Sequence, residues 1–140
     1  RVLMLSNDPE ICVCKADLPA GHPRMRHRAY AEELRRQAGA DSRLTVFVSV
    51  PRNVGSRPQH DEAGLTVIPV PAPHRFLSPL AHVMPVLRAA YRFRPHLITA
   101  QSPWESGPLA LLAGRLCGAS VLLQLHGDIG TPEWDAQGLS

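Results

Sequence analysis

No stretch of this chain approaches the roughly 20 consecutive apolar residues that a membrane-crossing helix needs, and no segment resembles a signal peptide. The glycine-rich fingerprint G-x-G-x-x-G is missing, and so is G-x-x-x-x-G-K-[ST]. A nicotinamide-binding reading and a P-loop reading therefore lose their main supports. Cysteine is scarce: there are three, an odd number, and Cys12 and Cys14 are too close to bridge comfortably, which argues against a disulfide framework and suits a reducing cytoplasm. Charge of one sign is also weak. Fifteen basic against twelve acidic side chains give a net charge of +3, too small a bias to argue for nucleic acid, although anionic small molecules stay plausible partners. Aromatic residues make up 5% of the chain.

What the chain does have is an apolar fraction of 44% over 140 residues, enough for one domain with a real core and too little for two. Fourteen prolines and ten glycines, spread without repeats, mark many short element boundaries. The run Val2-Leu-Met-Leu5 has the pattern of a strand buried on both faces. A polar stretch from Asn7 to Arg26 follows, and then His27 to Ala38 reads as a helix with Tyr30, Ala31, Leu34 and Ala38 on one face. Glu32 and Arg36 are spaced for an ion pair, and Gly39 is placed to end that helix. Leu44 to Val50 is rich in β-branched residues and reads as a second strand. Leu65 to Val70 is a third, of open orientation, and belongs at a sheet edge because Pro69 cannot donate to a ladder.

Ser78-Pro79 opens the next helix, in which Leu80, Val83, Met84, Leu87 and Tyr91 form an apolar stripe of the kind that faces a core. Pro85 inside it implies a kink or a later start, and Pro95 ends it. A strand over His96 to Ala100, a helix opened by Gly107-Pro108 and closed before Gly118, and a strand over Ser120 to Leu125 complete the pattern. Strands alternating with helical segments predict an α/β fold, Rossmann-like, with a mostly parallel sheet covered by helices on both faces. The start at Arg1 and the absence of a closing element near Ser140 lead to the expectation of a fragment, residues 1–140 forming one incomplete domain.

Ligands of such sheets bind outside the carboxyl ends of the strands. That rule selects Asn7 to Arg28, Gln101 to Gly107 and His126 to Trp134. In the first, Gly21 and Arg24, with Arg26 and Arg28, precede or open a helix whose free N–H groups favour an anion, or else form a solvated basic helix start. Cys12, Cys14, His22 and His27 invite a zinc reading, but Cys12-Val-Cys14 is one residue short of the usual spacing. An ordinary buried cysteine is the simpler account. In the second, Trp104 offers a face for a sugar and Glu105 an acceptor for hydroxyls; alternatively Trp104 staples the helix and Glu105 complements its dipole. In the third, His126 stands at a strand tip where a neutral imidazole can donate or accept. Gly127 would let a ligand close to the backbone, with Asp128 beside it.

The run Arg94-Pro-His-Leu-Ile-Thr-Ala-Gln-Ser-Pro-Trp104, then Gly107-Pro-Leu-Ala-Leu-Leu-Ala-Gly-Arg-Leu-Cys-Gly-Ala-Ser-Val-Leu-Leu-Gln-Leu-His-Gly127, resembles the N-terminal domain of GT-B glycosyltransferases of the glycosyltransferase 4 type. The first strand, the Gly and Arg before the first helix, and Tyr30-Ala31 join the resemblance. It implies transfer of a sugar, hexosyl in type, from a nucleotide-sugar donor to a hydroxyl of a sugar, lipid-linked or small-molecule acceptor. It implies no metal and no cofactor, the nucleotide-sugar being a co-substrate, and leaves peripheral membrane association open. By the same resemblance His126 is catalytic, lying between two lobes near donor and acceptor, and Gly21 and Arg24 fall on the acceptor-side loop near the donor phosphates. The donor site would belong to a C-terminal domain absent from this chain, so the chain alone would not turn over. Two departures stand out: Gly21-His22 replaces a common Gly-Gly, and Gln101 replaces a common histidine, so no catalytic role passes to Gln101. A GT-B-fold sugar-nucleotide epimerase and a non-catalytic Rossmann-like binding module are the competing readings.

Overall fold

The structure is a computed structural model that describes residues 1–13, 18–19, 21–52, 57–72 and 78–124. Six strands form one sheet: β1 (Val2–Ser6), β2 (Leu44–Pro51), β3 (Gln59–His60), β4 (Leu65–Ala72), β5 (Leu97–Ala100) and β6 (Ser120–Leu123). Their order is β3-β4-β2-β1-β5-β6. Every pairing is parallel except that of β3 with β4. The helices are α1 (Pro23–Ala38), α2 (Ser78–Phe93) and α3 (Gly107–Cys117), with a 3₁₀ turn at Pro9–Cys12.

The continuous apolar runs read in the sequence are the central strands. Leu3, Met4 and Leu5 of β1 and Val46, Phe47 and Val48 of β2 are all buried, as strands covered on both faces require. Alternation then splits their side chains between two cores. Leu3, Leu5 and Phe47 join Val86, Ala89 and Ala90 of α2 and Leu109, Ala110 and Ala113 of α3. Met4, Val46 and Val48 join Ala31 of α1 and Ile11 of the 3₁₀ turn. Thus α2 and α3 cover one face, and α1 covers the other over β2 and β4.

The open orientation of the Leu65 strand resolves as parallel to β2. Its position near an edge follows from Pro69: β2 pairs with all of β4, whereas β3 reaches only Thr66 and Val67, so Pro69 faces no ladder on that side. Gly118, in the left-handed conformation at φ 73°, ends α3 and donates its N–H to the Gly114 carbonyl.

Four expectations are corrected. Helix α1 starts at Pro23, not His27, because Pro23 takes the first helical position and His22 caps it, its Nδ1 accepting the Arg24 N–H at 3.2 Å. Its inward face is Arg24, His27 and Ala31 with Leu34 partly buried, whereas Tyr30 and Ala38 are exposed. Arg36 pairs with Glu33 at 2.5 Å and Glu32 with Arg28 at 3.1 Å, in place of a Glu32–Arg36 pair. The largest correction concerns α2. Its inward face is His82, Val86, Ala89 and Ala90, with Val83 and Leu87 of the predicted stripe partly buried against the same core. Leu80, Met84 and Tyr91 of the predicted core stripe point outward at 70%, 73% and 79% exposure. Small residues let the helix sit close over Leu3, Leu5 and Phe47, which supply the bulk from the sheet side.

Candidate functional site

Strand order reverses between β1 and β5, which are neighbours though β2 to β4 intervene in the chain. The crevice outside their carboxyl ends is where this class of sheet binds ligands. Two chains of polar side chains meet there, one on each face of the sheet.

On the α1 face, Ser6 at the end of β1 donates its hydroxyl to the Gln101 Oε1 just past β5, and accepts the Asp8 N–H at 3.2 Å. Gln101 Nε2 lies 3.2 Å from His27 Nε2, and His27 Nδ1 lies 2.7 Å from the Pro23 carbonyl. A carbonyl only accepts, so His27 carries its proton on Nδ1 and its Nε2 accepts from the Gln101 amide. One amide thus ties the tips of β1 and β5 to the first turns of α1. Tyr30 packs edge-on against the His27 ring, with centroids 5.7 Å apart.

On the α2 face, the Asn7 amide donates to Glu105 Oε2. Ser49 Oγ donates to Asn7 Oδ1 at 3.2 Å and lies 3.0 Å from His82 Nε2. Burial pushes the His82 imidazole down from 6.5 to about 4, so at neutral pH it is uncharged and can donate Nε2–H to the serine. The chain ends on the exposed Glu105 carboxylate, which is thereby aimed and still open to solvent.

A groove of about 900 Å³ runs along the α1 face beneath this edge. Val2, Met4, Leu97, Thr99 and Leu122 line its sheet side, and Asn7, Asp8, Arg26, His27, Gln101 and Gln124 its polar end. Thr99 is 2% exposed and its Oγ1 has no hydrogen-bond partner among the described residues.

Of the residues singled out in the sequence, Glu105 stands at this edge, held by Asn7, and Trp104 lies beside it, 70% exposed. Gly21 occupies the turn before α1, where an added Cβ would meet open space. Arg24 is buried at 8% exposure, and its Nη1 donates to the Ile11 carbonyl at 3.1 Å and to Gln59 Oε1. Its charge thus holds the 3₁₀ turn after β1 against β3, while Arg26, exposed, lines the groove and Arg28, also exposed, pairs with Glu32. His126, Gly127, Asp128 and Cys14 lie outside the described residues. Among the described residues no three His, Cys, Asp or Glu groups approach one another as a metal site would require. His22 caps α1 and His27 bonds to Gln101. Asn7, Ser6 and His27 as a hydrogen-bonding group escaped the sequence reading, which noted Gln101 only as standing in place of a common histidine. Their signal was position, each falling at a strand tip or helix start beside the switch point.

A sequence model of the family described as the glycosyl transferase 4-like domain matches residues 23–139. No curated protein matches the chain.

Proposed function

The chain belongs to the glycosyl transferase 4-like family, and on that premise we propose that it is the acceptor-side domain of an enzyme that moves a sugar from a nucleotide-sugar donor to an acceptor hydroxyl. The observation that carries the reading is the pair of polar chains converging on the switch point, one ending in the Glu105 carboxylate and the other presenting the Gln101 amide. Glu105 and Gln101 accept and donate to hydroxyls, Trp104 offers a flat apolar face to a pyranose ring, and Arg26 complements negative charge at the start of α1. Sugar recognition needs this mixture, because each hydroxyl left unpaired on binding costs affinity.

In the proposed reaction His126, three residues beyond β6 in the sequence, assists the acceptor hydroxyl as a neutral imidazole, with Gly127 and Asp128 against the substrate. Gly21 lies on the loop facing the donor phosphates. The charged diphosphate leaving group is stabilised by positioned cations and helix dipoles, without a metal. A second nucleotide-sugar-binding domain supplies the donor, and the enzyme works in the cytoplasm on a hexosyl donor.

The test is release of nucleoside diphosphate by the full-length protein across a panel of uridine, guanosine and adenosine diphosphate sugars with candidate acceptors. His126→Ala is expected to lower turnover by about 10² or more, the range of a lost general base, while the thermal midpoint stays within a few degrees. Equal kcat at saturating substrate would remove His126 from the reaction. Glu105→Gln, which keeps the size and removes the charge, is expected to raise KM for the acceptor more than it lowers kcat.

A further inference from the structure

Helix α2 lays small and apolar side chains on the sheet, Val86, Ala89 and Ala90, and with them one imidazole, that of His82, 3% exposed. Packing does not call for it. An aliphatic side chain would fill the position without drying a polar ring, and a buried polar group is tolerated where it is hydrogen-bonded. The bond that His82 makes leads out of the core to the crevice. Its Nε2 lies 3.0 Å from Ser49 Oγ near the end of β2, Ser49 Oγ lies 3.2 Å from Asn7 Oδ1 just past β1, and the Asn7 amide donates to Glu105 Oε2 just before α3. We propose that His82 is a positioning residue: acting through Ser49 and Asn7, it fixes the orientation of the Glu105 carboxylate and so sets the affinity for the sugar acceptor whose hydroxyl Glu105 receives.

The direction of every bond in the chain follows from the carboxylate. An ionised carboxylate only accepts, so Asn7 turns its NH₂ to Glu105 and its Oδ1 to Ser49. That oxygen also only accepts, so the single hydroxyl hydrogen of Ser49 points at Asn7 and a lone pair faces His82. The imidazole must then carry its hydrogen on Nε2. Burial holds the ring's pKa down to about 4, so at neutral pH it does this as the neutral Nε2–H tautomer. A serine hydroxyl can rotate to suit its neighbours; a donor held in the core removes that freedom, and Asn7 is left with one amide orientation. The three bonds span 33, 42 and 98 residues of chain, so the exposed end is set from the buried one. A Glu105 without this support would have to be ordered by the sugar itself, which costs affinity.

This role rests on the reading of Glu105 as an acceptor-binding group, so one arm of the test needs no sugar transfer. In the full-length protein labelled with nitrogen-15 at histidine and asparagine, nuclear magnetic resonance is expected to show the Nε2–H tautomer for His82, and His82→Leu is expected to shift the Asn7 side-chain amide signals. An Nδ1–H tautomer, or Asn7 signals that stay in place, overturns the proposal whether or not the protein transfers sugar. In the kinetic arm, His82→Leu is expected to raise KM for the acceptor about fivefold, the range of one orienting hydrogen bond, with kcat changed by less than about twofold. His82→Gln, whose amide can donate to Ser49, should bring KM back toward the parent. In a Glu105→Ala background His82→Leu should have no further effect, because the group it positions is gone. A KM rise that persists in that background, or that His82→Gln fails to rescue while its melting midpoint matches the parent, makes His82 merely structural and overturns the proposal. If Glu105→Ala itself leaves KM unchanged, the acceptor role of Glu105 fails, and the tautomer and the Asn7 signals show separately whether His82 orients it.

Discussion

Helices α1 and α2 are each 16 residues long and carry a proline near the start, and they cover opposite faces of one sheet. They reach burial by opposite means. Helix α1 buries Arg24 and His27 beside Ala31 and gives its outer side to charge, including the Arg28–Glu32 and Arg36–Glu33 pairs. Helix α2 buries Val86, Ala89 and Ala90 with neutral His82, and leaves Leu80, Met84 and Tyr91 outside. Burial in a helix is therefore a question of fit to the surface beneath, and hydrophobicity alone does not answer it. Under α2 the sheet offers Leu3, Leu5 and Phe47, which demand a close, small-residue partner. Under the start of α1 lie the backbone of the 3₁₀ turn and Gln59, which demand hydrogen-bond donors.

The comparison breaks most visibly at Phe47, 2% exposed in the core that α2 covers. Phe47→Ala is expected to cost about 3–5 kcal/mol, because small residues on the helix side cannot expand to fill the space. Urea unfolding followed by circular dichroism measures it; a loss under about 1 kcal/mol would mean that α2 can settle onto the sheet and that its packing is not set by size.

The second test is pH. The unfolded chain protonates His82 near its ordinary 6.5, while burial holds the folded group down to about 4. Above pH 6.5 both forms are neutral and stability is unaffected. As pH falls from 6.5 to 4 the unfolded form alone takes up the proton, and stability drops by up to about 1.4 kcal/mol per pH unit. Replacing His82 by Gln, which keeps a donor for Ser49, should flatten the unfolding free energy across that window. An unchanged slope would assign the pH dependence to other groups.

Arg24 tests the other helix. Arg24→Met keeps the apolar stem and removes the donors to Ile11 and Gln59, so a loss of about 1–3 kcal/mol is expected from acceptors left without their partner. If the variant is as stable as the parent, the polar packing of α1 is dispensable and the contrast with α2 fails on that side.

The strands were legible because parallel-sheet strands buried on both faces announce themselves as apolar runs, as at Val2 to Leu5, and Gly39 and Gly118 marked helix ends through their backbone freedom. Strand β3 was not, since two residues of β structure carry no period. The start of α1 hid in a Pro- and Gly-punctuated stretch that reads as loop until His22 is known to cap it. At the site, sequence position found Glu105 and the segments around it. It gave no bonding role to Asn7, Gln101 or His27, because their significance lies in which groups they bond across 98, 95 and 74 residues of chain. It misjudged Arg24 for a related reason: an arginine before a helix reads as solvated charge, and only the fold supplies the Ile11 carbonyl that buries it.

The smallest expected effect is the sharpest test of which side of α2 faces in. The sequence period puts Met84 in the core stripe, and a buried methionine cut to alanine costs about 2–5 kcal/mol. At 73% exposure the same cut should move stability by no more than about 0.5 kcal/mol in either direction, since alanine favours the helix while little packing is lost. The reverse change at Ala90, 2% exposed, supplies the contrast: Ala90→Leu is expected to cost about 1–3 kcal/mol by overpacking against the sheet. Chemical denaturation of the two variants decides the orientation, and it turns on sign and order alone. If Met84→Ala costs more than Ala90→Leu, α2 is turned half way round from the orientation described, and the apolar stripe that the sequence displays is the core face after all.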